Sequence, residues 1–234
     1  PVLAWEPGVM WRENRDYAIT VQSDIVDGLQ GATVTNQIWP ALSQLQARWR
    51  ERGLSSYRIE IAGAVEESSK GSASIAAGVP LMLFITFTLL MLQLQSFSRA
   101  MLVFLTGPMG IAGVAGALLV LDRPFGFVAL LGVIALMGMI QRNSVILIDQ
   151  IEQDRAQGVP AWDAIVESAV RRLRPIVLTA AAAVLAMIPL SRSVFWGPMA
   201  VAIMGGLILA TVLTLLALPA MYAAWFRVRR EPTP

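Results

Sequence analysis

Five long stretches of apolar residues, nearly free of charge, constrain this chain more than any other feature. A helix that crosses a membrane needs roughly 20 such residues. The stretches lie at residues 78–94, 101–121, 125–148, 176–190 and 197–224. The whole chain is only 15% charged, against about 25% in an ordinary soluble domain. The sequence therefore predicts an α-helical membrane domain with five transmembrane helices over residues 76–234, preceded by a polar segment, residues 1–75.

The polar segment has the pattern of a partial α+β unit. Residues 17–23 and 57–62 alternate apolar and polar side chains, which is typical of half-buried strands. Between them Ile38, Leu42 and Trp49 fall on one face of a helix that Gly53 would end. The predicted order is β-α-β, and further chain is expected to complete its sheet. A small independent α/β module is the alternative.

The arginines predict the orientation in the membrane. One set of connections, together with the C-terminal tail, holds eight of them: Arg99, Arg155, Arg171, Arg172, Arg174, Arg227, Arg229 and Arg230. The opposite set holds only Arg123 and Arg192. Because basic loops stay in the cytoplasm, we expect residues 1–75 outside, in the periplasm of a bacterium, and the C-terminus inside. Membrane topology thus explains the basic excess, and no nucleic-acid partner is expected.

The cytoplasmic connection between the third and fourth spans predicts a helix of its own. Pro160 suits the first turn of a helix, and apolar side chains recur from Trp162 to Leu173. Charged side chains recur at spacings of four on another face. We expect an amphipathic helix at residues 160–173, lying on membrane lipid.

Small residues recur in the second and fifth spans. Gly107, Gly110, Gly113 and Gly116 are spaced by three residues. Small residues allow helix backbones to approach closely in membranes, so we interpret the series as bundle packing. A surface along which helices slide is the alternative.

The chain contains neither cysteine nor histidine. Zinc sites built from these residues, Ser-His-Asp catalysis and Cys-His catalysis are therefore excluded within this chain. No glycine-rich nucleotide-binding loop is present. We expect no cofactor, no metal and no enzymatic activity.

Arg142 is the basic residue that topology does not explain. It lies within the third span, beside Gln141, Asn143 and Ser144. An arginine near mid-membrane costs about 2.5–3.5 kcal/mol on insertion scales, so it needs a carboxylate partner, a water-filled cavity or both. No Asp or Glu lies mid-span in this chain, which means that such a carboxylate would come from elsewhere. An arginine satisfied by backbone carbonyls and by snorkelling is the alternative.

Several ordered blocks resemble the C-terminal half of resistance–nodulation–division (RND) efflux permeases, the acriflavine-resistance type of multidrug pump. Residues 11–25 (WRENRDYAITVQSDI) resemble the strand that opens the last periplasmic porter subdomain, and residues 57–68 the lead into the eighth helix. Residues 127–149 (FVALLGVIALMGMIQRNSVILID) resemble the tenth helix. Residues 164–180 and 195–222 resemble the eleventh and twelfth helices.

The resemblance implies a multi-pass protein of the bacterial inner membrane that exports small molecules by proton antiport, driven by the proton motive force. Arg142, Asn143, Arg172 and Thr179 match positions of the family's proton relay. The multidrug pumps commonly have Lys where Arg142 stands. The implied partners are the first half of the same permease, with its paired intramembrane aspartates, and further copies in a homotrimer. The resemblance also implies a periplasmic adaptor and an outer-membrane channel as partners.

Two other functions remain open from the sequence. The chain could belong to a relative of the same architecture that handles lipid or assists protein translocation. It could also be an inactive remnant or a split subunit that acts as an interaction module. From the residues alone, Arg172 also reads as a topology determinant, and the hydroxyl of Thr179 as bonded to its own helix.

Overall fold

The computed structural model describes residues 10–26 and 29–229, and helices make up most of them. A two-strand hairpin, β1 (Arg12–Glu13) and β2 (Asp16–Tyr17), comes first. The helices that follow are α1 (Gly31–Glu51), α2 (Ala64–Leu94), α3 (Phe97–Thr106), α4 (Met109–Val120), α5 (Phe127–Ala156), α6 (Ala161–Ser191) and α7 (Gly197–Trp225).

Within residues 10–26 and 29–229, five helical spans are long and apolar enough to cross a membrane, which confirms the predicted number. They are α2, the pair α3–α4, α5, α6 and α7. The pair forms one span, Phe97–Val120, that is interrupted at Gly107 and Pro108. Proline has no backbone N–H to donate to the preceding turn, so the interruption falls where the sequence places Pro108.

Two helices run further than the apolar stretches predicted. The α2 helix begins at Ala64, so the boundary predicted after residue 75 falls inside it. Its polar first turns carry an ion pair of 2.5 Å between Lys70 and Glu66. The α6 helix is continuous from Ala161 to Ser191 and joins the predicted amphipathic helix to the fourth span. Pro175 lies inside it without ending it, since one proline removes only one backbone hydrogen bond of the helix.

The β-α-β prediction is correct only for its helix. The α1 helix covers the predicted apolar face, and Gly53, with φ of 80°, follows its end. Apart from Tyr17, the segments 17–23 and 57–62 are not strands. A strand needs a hydrogen-bonded neighbour. The Ala18 N–H donates to the Trp11 carbonyl oxygen at 2.9 Å, but segment 19–23 has no backbone hydrogen bond among the described residues, and Ile19 and Val21 are 95% and 91% exposed. The sequence also predicts turn residues from Asp24 to Gly31, before the helix, and two of these, Asp27 and Gly28, lie outside the described residues.

The α7 helix is the centre of the bundle and packs against α4, α5 and α6. One buried cluster joins Leu147 and Ile151 of α5 to Leu218 and Tyr222 of α7. A second joins Leu136 of α5 to residues such as Leu207 of α7. Because α5 and α6 both pack on α7 and also touch each other, their outer faces form one continuous surface.

Candidate functional site

A small cleft between α5 and α6 holds all four residues that the sequence singled out. Its volume is about 200 Å³. Its lining residues are Arg142, Asn143 and Ile146 of α5, and Arg172, Pro175, Ile176 and Thr179 of α6. Residues 142 and 179 are 37 positions apart in the sequence, and the antiparallel helices bring them to one place.

Helical spacing explains why these side chains share the cleft. On α5 Arg142 and Ile146 are one turn apart, and on α6 Arg172, Ile176 and Thr179 follow at steps of four and three residues. Residues three and four apart lie on the same face of a helix. Two such faces oppose each other and form the walls.

The cleft is positively charged. Arg142 is exposed on the outside of the bundle, and none of the lining residues is acidic. Within residues 10–26 and 29–229, no carboxylate forms an ion pair with Arg142 or Arg172. Two guanidinium groups in one cleft favour an anionic partner, because each is attracted to a negative charge and neither has an acidic residue beside it in the cleft.

Arg172 and Thr179 each have a defined hydrogen bond. The Arg172 guanidinium donates to the Gln150 side-chain carbonyl oxygen at 3.0 Å. The Thr179 hydroxyl lies 2.9 Å from the Ile176 carbonyl oxygen and 3.0 Å from that of Pro175. The hydroxyl hydrogen is therefore used within α6, and the oxygen keeps its capacity to accept a hydrogen bond in the cleft.

Sequence reasoning missed a polar network next to the cleft, between the end of α5 and the beginning of α6. Asp154 is only 2% exposed, and its carboxylate accepts from the Ser168 hydroxyl at 2.6 Å and from Arg171 at 2.8 Å. It also accepts from the Gln150 amide at 3.0 Å. A spacing of four residues from Arg142 through Ile146 and Gln150 to Asp154 was the available signal. It places all four on one inclined row along α5.

A second network connects three helices at the same end of the bundle. Arg99 of α3 pairs with Glu152 of α5 at 2.6 Å. The Tyr222 hydroxyl of α7 donates to Glu152, and Arg155 donates to the Tyr222 oxygen at 2.9 Å. This network holds α3, α5 and α7 together where the arginine-rich connections lie.

A further polar contact between helices lies in the bundle interior, beside the interruption between α3 and α4. Thr106 and Ser144 hydroxyls lie 2.9 Å apart, and both residues are buried. The amide nitrogen of buried Gln141 has no hydrogen-bond partner among the described residues. Gln141 and Ser144, two members of the polar patch around Arg142, thus face inward and away from the cleft.

The described residues contain no group of three or more Asp or Glu side chains placed to hold a metal ion. The cleft itself offers guanidinium, amide and hydroxyl groups. Cationic groups repel a metal cation and attract carboxylates or other anions. The arrangement suits the binding and release of a carboxylate.

Comparison with known proteins connects this architecture to one family. The profile of the AcrB/AcrD/AcrF family matches residues 4–225. The chain is 31% identical over 144 residues to Multidrug resistance protein MdtC of Erwinia amylovora, which covers 59% of this chain and 14% of that protein. It is 33% identical over 178 residues to Nickel-cobalt-cadmium resistance protein NccA of Alcaligenes xylosoxydans xylosoxydans, covering 74% and 16%.

A solved structure agrees with these matches. The crystal structure of a heavy metal efflux pump superposes with a TM-score of 0.63 at 28% identity, over 80% of this chain and 20% of that one. The chain thus spans about a seventh to a fifth of the length of these relatives. Because the family profile covers nearly the whole chain, the predicted family is confirmed: the chain belongs to the AcrB/AcrD/AcrF family of RND efflux permeases, which are membrane transporters rather than catalytic enzymes.

Proposed function

We propose that this chain forms part of an inner-membrane antiporter that exports small molecules and is driven by the proton motive force. The observation that carries the proposal is the cleft between α5 and α6, which is lined by Arg142, Asn143, Arg172 and Thr179 and holds no carboxylate. The four residues would belong to the proton relay, and the proton-carrying carboxylates would come from the first half of the permease.

The physical step is the loss of one partner of an ion pair. A carboxylate docked against Arg142 is neutralised when it binds a proton, and the arginine then seeks another acceptor. Arginine stays charged under these conditions, so the proton travels on the carboxylate. Each charge that crosses the membrane contributes about 2.3 kcal/mol per 100 mV, which would drive one half of the transporter to rock against the other.

The substrate class is proposed as drug-like or amphiphilic molecules, with divalent metal cations as the second candidate. Multidrug resistance in the name of MdtC supports the first. The name of NccA and the heavy metal efflux pump of similar fold support the second. Both names favour efflux over lipid handling or protein translocation. The cationic cleft serves proton coupling in either case.

The orientation and partners follow from the same proposal. Residues before α2 would lie in the periplasm and the end of α7 in the cytoplasm, because the connection between α5 and α6 and the segment after α7 are rich in arginine. The protein would act as a homotrimer in membrane lipid, with a periplasmic adaptor and an outer-membrane channel. Crosslinking the intact protein in membranes would test the trimer.

Substitution of Arg142 in the intact protein tests the relay. We expect Arg142→Ala to abolish resistance and export in a pump-deficient bacterium, and Arg142→Lys to retain them, because Lys keeps a cation. Arg192→Ala is the matched control, since Arg192 is exposed at the end of α6, outside the cleft. The assay has one arm with cationic dyes and one with nickel, cobalt and cadmium salts. Normal export by Arg142→Ala, at wild-type abundance, would contradict the proposal.

A further inference from the structure

The row of α5 residues that begins at Arg142 lines the cleft at one end and is hydrogen-bonded to α6 at the other. Arg142 and Ile146 line the cleft, whereas Gln150 and Asp154, one and two turns further along, bond to α6. At 1.5 Å per residue, Arg142 and Asp154 are about 18 Å apart along the helix axis. Side-chain hydrogen bonds therefore join the two helices at the Gln150–Asp154 end of this row.

Asp154 forms a fixed anchor at the hydrogen-bonded end of this row. Its two carboxylate oxygens receive three hydrogen bonds, from Ser168, Arg171 and Gln150. Separating a buried carboxylate from one of its hydrogen-bonding partners costs free energy, because its charge is then left uncompensated. Asp154 therefore stays in place while groups in the cleft exchange partners.

Gln150 connects this anchor to the cleft. Its amide nitrogen donates to Asp154 at 3.0 Å, and its carbonyl oxygen accepts from Arg172 at 3.0 Å. The opposite orientation of the amide would set its oxygen against a carboxylate and its N–H₂ against a guanidinium. The charges on both sides thus determine how the amide lies, and each bond involves an ionised group, which makes it stronger than a neutral one.

We propose that Gln150 is a positioning residue, which holds the Arg172 guanidinium at the mouth of the relay cleft by connecting it to Asp154. The proposal rests on the proposed function, because the role of Arg172 belongs to that function. In consequence α5 and α6 move as one unit at this end, and Arg172 meets an incoming carboxylate from a fixed position.

The first experiment tests the connection without any use of transport. Thermal midpoints of the intact protein in detergent are measured for Gln150→Met, Arg172→Met and the double variant. Residues in direct contact are not additive in such a cycle. We expect the double variant to lose less than the sum of the two single losses. Additive losses would overturn the proposal, whatever the protein exports.

The second experiment measures export rate against substrate concentration. Gln150→Met keeps the length of the side chain and removes both hydrogen bonds. We expect its maximal export rate to fall about tenfold or more with unchanged half-saturation, since a relay group displaced by about 1 Å can cost up to about 100-fold. Gln153→Met is the matched control, because the Gln153 side chain is exposed and bonds only to Asp149 among the described residues. A wild-type rate for Gln150→Met would overturn the proposal.

A paired swap separates positioning from simple loss of packing. Gln150→Glu alone places two carboxylates side by side and is expected to impair export. Adding Asp154→Asn restores a hydrogen bond of reversed direction, in which the new amide donates to position 150 and the new carboxylate still accepts from Arg172. We expect the pair to recover most of the export, and failure of this rescue would overturn the proposal. If the proposed relay itself is wrong, Arg142→Ala will export normally. The failure of the proposed function is thus distinguished from the failure of the role proposed for Gln150.

Discussion

Gly113 of α4 lies at a close backbone approach between α4 and α7, and its substitution tests how the bundle packs. A methyl group built on Gly113 would lie 2.6 Å from the Gly205 carbonyl oxygen, 2.8 Å from the Leu209 Cβ and 3.0 Å from the Gly206 Cα. Two of these three are backbone atoms. Rotation of a side chain cannot relieve the overlap, so Gly113→Ala must move the two helices apart.

The distances set the size of the effect. The contact with the carbonyl oxygen of Gly205 is about 0.8 Å shorter than the 3.4 Å at which ordinary contact begins. A gap of about 0.5–1 Å removes a quarter to a half of the dispersion energy of each contact across it, and packing of this kind is what holds helices together in a membrane. Inserting one methyl group into a close-packed interface costs about 1–3 kcal/mol.

Gly116, three residues further along α4, provides the control. It is exposed, and no other helix in the described part of the chain comes within 4 Å of a methyl group built there. Both substitutions gain the same helix propensity, about 1 kcal/mol for Ala over Gly, so their difference isolates packing. We expect the thermal midpoint of the intact protein in detergent to be lower for Gly113→Ala than for Gly116→Ala. Equal midpoints, or the reverse order, would refute this account.

Three further substitutions test the polar networks, each by the free energy of unfolding of the intact protein in detergent. Thr106→Val should destabilise by about 1–3 kcal/mol, because it leaves the buried Ser144 hydroxyl without its side-chain partner; adding Ser144→Ala should recover part of this loss, and no recovery would contradict the contact. Tyr222→Phe should cost about 0.5–1.5 kcal/mol by removing the hydroxyl that contacts Glu152 and Arg155; a neutral result would count against that network. Ser168→Ala should cost about 1.5–3 kcal/mol, since a hydrogen bond to a carboxylate is lost; the exposed Ser43→Ala serves as its comparison.

The glycine series shows where a pattern in the sequence stops being informative. A step of three residues turns an α-helix by about 300°, so glycines at this spacing drift around the helix. Gly107, Gly110 and Gly113 are buried, while Gly116 is exposed. Close packing is confirmed for the first three and is wrong for the last. Spacing alone does not reveal which side of α4 meets α7.

The residues proposed for the proton relay illustrate the opposite case. Arg142 is conspicuous in any reading of the sequence, because a charge within a long apolar run has few explanations. Arg172 and Thr179 were found through the family resemblance, and the structure places all of them with Asn143 around one cleft. Gln150 and Asp154 escaped notice, because a polar residue near the end of a span looks like an ordinary solvated side chain until its partner on another helix is known.

The sequence by itself determined the number of spans, the helix α1 and the unusual arginine, because these depend on local apolar content, helical periodicity and the cost of a charge in lipid. Tertiary structure alone decided that α6 is one continuous helix, that the segments 18–23 and 57–62 are not strands, and that Asp154 is buried. These outcomes depend on which groups meet across elements far apart in the chain. Strands require partners, and a buried charge requires donors from a neighbouring helix. Such pairings arise only when the helices pack.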